Sequence, residues 1–186
     1  MIHSIRETTA VLFLDLQAEI VKNSRTVSVE RLTHTTAVLA KLAALHGIPT
    51  FLSAVPPGGA FLKSVLEPLG NPEPRMRMQT TAFADTGLVE ALHACGRRVL
   101  LLAGVATEII VQRTALDALA AGYAVGIAVD ACGGASERTE DAAWRRVIGA
   151  GGTTTSVTTF AAELTGDFST DLGQATLGLL YETLNP

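Results

Sequence analysis

A chain of 186 residues suits one domain of ordinary size with a core of its own. It is 48% hydrophobic and 17% charged, with net charge −4 and mean hydropathy +0.34. No Lys/Arg run exceeds a pair, which argues against a nucleic-acid backbone as partner. The apolar excess is expected to cover subunit contacts in a homo-oligomer.

The opening "MIHSIRETTAVLFLDLQ" has no basic segment leading into an apolar run and a small-residue cleavage site. No apolar stretch reaches the roughly 18–20 residues that span a bilayer, so a cytoplasmic chain with no membrane partner is expected. The first β-rich run is "AVLFLDL" (10–16), followed by a helical pattern over 27–47 that exits at Gly47-Ile48-Pro49. "PTFLSAV" (49–55) reads as a second strand. Residues 56–74 form a long irregular stretch with five of the seven prolines, of the kind that makes lids or contact surfaces.

"RMRMQ" (75–79) adds an edge strand, and helical periodicity returns over 86–96. Then come "RVLLLAGV" (98–105), a helix over 107–122, "AVGIAVDA" (124–131), a helix over 136–151, "TTTSV" (153–157) and one or two helices over 159–184. The strand runs are nearly continuous rather than alternating, as in strands covered on both faces. Alternating β and α of this kind gives a three-layer α/β/α fold with a mainly parallel sheet of about six strands, the 10–16 strand central and beside 98–105.

Sheets of this type bind ligands beyond the carboxyl ends of their strands, where strand order reverses. The first strand delivers Asp15 there, in "LFLDLQ". A carboxylate leaving an apolar strand is costly to bury without partners, so it is an acid/base candidate, the alternative being a loop cap bonded to backbone amides. The 98–105 strand delivers "GVATE", with Thr107 or its neighbour as helix N-cap, Glu108 in the first turn and free N–H groups able to hold an oxyanion or carboxylate. Extended "RMRM" puts Arg75 and Arg77 on one face, which fits either a solvated edge or a charge facing the cleft.

Cys95 and Cys132 form no metal-type pair, and free thiols in a reducing compartment are the simplest reading. Cys132 follows Asp130 at a strand's carboxyl end and is a candidate replacement nucleophile. Cys95, at the opposite edge, reads as structural.

Asp at the end of the first strand, "AGVATEIIV" leading into "TALDALAAGY", then "VDACGG" and "AAWRRVIGAG", resemble the isochorismatase-like (cysteine hydrolase) superfamily over nearly the whole chain. The tail "FAAELTGDFSTDLGQATLGLL" is most similar to its YcaC-like branch. The resemblance implies one isochorismatase-like domain over 1–186, an Asp–Lys–Cys triad and a cis peptide between Val105 and Ala106. Asp15 matches the Asp. Ile110 stands at the cysteine position, two residues after Glu108, and Arg77, or Arg75 if the alignment slips, takes the place of the Lys. Gln17, Phe83, Ala106, Thr107 and Glu108 are the implied substrate contacts.

Isoleucine has no nucleophilic atom, so a thioester route through position 110 is excluded, and arginine balances charge without giving up a proton near neutral pH. The histidines at 3, 34, 46 and 93 make no Asp-x-His pairing after Asp15, so the metal site of nicotinamidase relatives is not expected, nor is any cofactor. The implied function is a hydrolase-type protein acting on a small molecule without a Cys nucleophile, with Asp15 as acid/base. Isochorismatase proper, which also lacks the cysteine, is the precedent, although it keeps a small residue where Ile110 adds bulk. The alternative is a catalytically silent member serving ligand binding or assembly; a third reading is altered chemistry on an apolar ligand. YcaC-like proteins are homo-oligomers, and the tail stripe of Leu172, Thr176, Leu179 and Leu180 fits either a subunit contact or the chain's own domain.

Overall fold

The computed structural model describes residues 5–184; His3 lies outside them. Six strands, β1 (Thr9–Leu14), β2 (Thr50–Ala54), β3 (Arg75–Met76), β4 (Val99–Val105), β5 (Ala124–Gly133) and β6 (Thr153–Thr155), form one sheet in the order β3-β2-β1-β4-β5-β6, with every pair parallel. The central β1 is buried at all six residues, as its unbroken apolar run predicts. It pairs with β4 from Thr9↔Val99 to Leu14↔Gly104.

The helices are α1 (Ile5–Thr8), α2 (Val29–His46), α3 (Lys63–Leu66), α4 (Thr86–Ala94), α5 (Gln112–Ala120), α6 (Glu137–Gly149), α7 (Val157–Thr165) and α8 (Asp171–Leu184). The two-residue period of β1 divides them into layers. Val11 and Phe13 point to a core with Leu39 and Leu42 of α2 and Phe160 of α7, whereas Leu12 and Leu14 point to one with Leu88 of α4, Ala115 of α5 and Val147 of α6. Ser28, Asp85, Ser136 and Ser156 cap α2, α4, α6 and α7 through their side chains, and Gly47 ends α2 in the left-handed conformation, which glycine adopts without a Cβ clash.

Two features depart from the sequence-based expectation, and a third decides between its alternatives. β5 runs on to Gly133 because its register against β4 slips between Leu102 and Gly104, so "DACG" stays in the sheet. The 56–74 stretch is built from short helical turns, α3 among them, and is tied down by a bridge from Gln17 to Phe61. The stripe on α8 packs on its own domain: Leu179 and Leu180 cover the α2/α7 core, and the buried Thr176 hydroxyl meets His46 Nε2 at 2.8 Å. No helix among the described residues is long and apolar enough to cross a membrane.

Candidate active site

The sheet order reverses between β1 and β4, and their carboxyl ends part there to leave a crevice. Gly104 makes the close approach possible, since a Cβ at this residue would lie 2.1 Å from the Leu14 carbonyl oxygen. Asp15 leaves β1 with φ 52°, a region open chiefly to Gly, Asn and Asp, and its amide donates to the Ser53 carbonyl at 2.9 Å.

The Asp15 carboxylate meets a guanidinium rather than a loop of backbone amides. Arg77 Nη1 donates to Oδ1 at 2.6 Å and Nη2 to Oδ2 at 2.7 Å, a two-pronged pair with side-chain exposures of 8% and 2%. Nη1 also donates to Ser53 Oγ at 3.1 Å, and the Arg77 amide donates to the Ala54 carbonyl, setting this residue just past β3. Ser53 is a residue of this cluster that sequence reading missed; a hydroxyl near the carboxyl end of the apolar run "PTFLSAV" was its signal. Arg75 does not share this face. It pairs with Asp85 at the surface, and the chain bends only after Arg77, over residues 78–80.

On the other side, β4 ends in a cis peptide between Val105 and Ala106 and enters a π-type turn over Thr107–Val111 before α5. The amides of Ile109, Ile110 and Val111 all return to the Ala106 carbonyl, at 3.2, 3.1 and 3.4 Å. These three amides are therefore occupied, since a widened turn collects several amides on one carbonyl. Ala106, the neighbour of Thr107, occupies the N-cap position with no side-chain cap, and the Thr107 hydroxyl donates to Glu140 Oε1 at 2.6 Å. Glu108 Oε1 accepts from the Ala135 amide and the Thr139 hydroxyl, both at 2.8 Å. Thr107 and Glu108 thus bind the turn to the start of α6.

Between these walls lies a cavity of about 460 Å³. Asp15 and Arg77 line one part of it; Val105, Ala106, Ile109 and Ile110 line another. Gln17 and Phe83 are not among its lining residues. The Gln17 carboxamide donates to the Val55 and Gly59 carbonyls and accepts from the Val55 amide, holding the 56–74 segment. Phe83 packs edge-on against Tyr123, with ring centroids 6.0 Å apart.

Neither thiol reaches the cavity lining. Cys132 is fully buried in β5 and burial pushes its thiol far up, while Cys95 follows α4 and donates to the Leu92 carbonyl. No group of three or more His, Cys, Asp or Glu able to hold a metal occurs among the described residues.

Residues 9–159 match the isochorismatase domain. The probable hydrolase YcaC of Escherichia coli (strain K12) is 29% identical over 177 residues, covering 92% of this chain and 85% of that protein. Its crystal structure, described as an octameric hydrolase of unknown specificity, gives a TM-score of 0.88 at 28% identity, over 95% of this chain and 87% of the other. YcaC from Pseudomonas aeruginosa with hexane-2,5-diol and covalent acrylamide gives 0.86 at 28% identity, over 94% and 89%.

Proposed function

We propose, from the premise that the chain belongs to the isochorismatase family, that it is a hydrolase-type protein acting on a small molecule beside Asp15 without a cysteine nucleophile. Ile110 takes the family's cysteine position and Arg77 that of its lysine. The observation that carries this reading is the open cavity of about 460 Å³ with Asp15 and Arg77 on one side, Ile110 on another and no thiol in its lining. Attack must then come from water. An aspartate paired with Arg77 is an acceptor only, so it fits a base that takes a proton from water better than an acid that gives one. Ala106, Ile109 and Ile110 shape the space that the substrate fills.

Alkylating Cys95 and Cys132 is expected to leave any turnover unchanged, and Asp15→Asn to abolish it. Acrylamide, which is covalent in the Pseudomonas YcaC structure, should form no adduct at the native cavity of this chain. Ile110→Cys should acquire one there, with Arg77→Lys raising its rate by more than either change alone predicts. Intact-mass and peptide mapping read both outcomes. If Ile110→Cys labels no faster than denatured protein, the site has lost more than its nucleophile.

A second reading, a silent ligand-binding member, is favoured by one observation: both Asp15 oxygens are already held by Arg77. No hydrolysis across a panel of small amides, esters and enol ethers would select it. Similarity to an octameric relative and the exposed Met76, Met78 and Ile109 support a homo-oligomer, for which a monomer by light scattering at micromolar concentration is the contrary result.

A further inference from the structure

We infer that the molecule received beside Asp15 is uncharged and mostly hydrocarbon; this rests on the cavity being the ligand site, and is independent of whether the ligand is turned over. Asp15 and Arg77 are the only charged residues among those lining the cavity, and they cancel each other. The Arg77 charge is already balanced by Asp15: Nη1 serves Asp15 and Ser53 and Nη2 serves Asp15, which leaves one Nη2 N–H as a donor with no net charge behind it. Its Nε is buried and has no partner among the described residues.

The remaining surface is dominated by Ile20, Val55, Met78, Val105, Ile109 and Ile110, with Asn23, Gln79 and Thr80 as neutral polar groups. A carboxylate or ammonium entering here would leave water and meet no free counter-charge, while prising Arg77 from Asp15 would strand a buried charge. A neutral ligand incurs neither cost. Its apolar part gains by leaving water, and the volume lies within the range of small-molecule sites.

The test compares three ligands of matched length, hexanamide, hexanoate and hexylammonium, by calorimetric titration at constant ionic strength. Hexanamide is expected to bind wild-type protein roughly tenfold or more tightly than either ion. Ile110→Phe, which fills the cavity, should weaken it. Asp15→Asn frees a cation and should move the preference toward hexanoate; Arg77→Met frees an anion and should move it toward hexylammonium. The inference is overturned if either ion matches hexanamide on wild-type protein, if none of the three binds, or if Ile110→Phe leaves hexanamide binding unchanged. It also falls if folded Asp15→Asn or Arg77→Met keeps the wild-type order. Should both variants fail to fold, the wild-type ranking and Ile110→Phe decide. Binding of hexanamide without hydrolysis would count against the proposed reaction alone.

Discussion

Arg75 and Arg77 stand two residues apart, and each holds an aspartate with two nitrogens. Arg75 reaches Asp85, ten residues on, with side-chain exposures of 44% and 16%; Arg77 reaches back to Asp15 with 2% and 8%. At the surface, Asp85 raises the Arg75 guanidinium through their hydrogen bond, and that same bond holds the Asp85 carboxyl below the ordinary carboxylate range. Water competes for both groups, so the bond contributes little. In the crevice water is nearly excluded, so each ion depends on the other. The same chemical pair is an ornament of the α4 cap in one place and a condition of the site in the other.

The largest expected effect tests that contrast directly. Arg77→Met strands the Asp15 carboxylate and should cost about 3–5 kcal/mol in urea denaturation, whereas a loss below about 1 kcal/mol would make the two pairs equivalent. Combining it with Asp15→Asn should cost less than the two single changes added, with a coupling of about 0.5–3 kcal/mol in a double-mutant cycle. Arg75→Met should cost at most about 1 kcal/mol, and the loss should shrink further as salt rises.

Acid sharpens the comparison further, because it reaches a buried ionisable group that meets a hydroxyl. His46 is buried, its Nε2 meets Thr176, and its Nδ1 has no partner among the described residues; burial, aided by Arg6, lowers its pKa below the ordinary 6.5. With the folded value lowered, the unfolded chain binds the proton more readily. Stability should therefore fall as pH drops below 6.5 and level off beneath the folded value. Denaturation between pH 7 and 5 should show the fall, and His46→Gln should flatten it. Smallest of all, Asp85 contributes stability above pH 3.8 that fades as pH falls through its lowered value, a change Arg75→Met should remove.

The layers and the crevice were legible because they rest on local or short-period signals. Continuous apolar runs at 10–16 and 98–105 became the adjacent central strands β1 and β4. Asp15 was legible as a carboxylate emerging from an apolar strand. These features depend on side-chain period and on burial cost, which a linear chain displays.

Tertiary structure alone decided which partner each polar group found. "RMRM" offered two equivalent arginines, and the fold brought Asp85 to one and Asp15 to the other. Gln17 follows the site aspartate by two residues, yet its amide serves Val55 and Gly59 because a loop from another part of the chain lies against it. The α8 stripe is the same whether it meets a neighbour or its own α2; the His46–Thr176 contact, 130 residues apart, settles it within the domain. Periodicity states that a face must be covered and a charge must be paired. The covering element and the pairing group come from distant sequence, and only the folded chain brings them within a few ångströms.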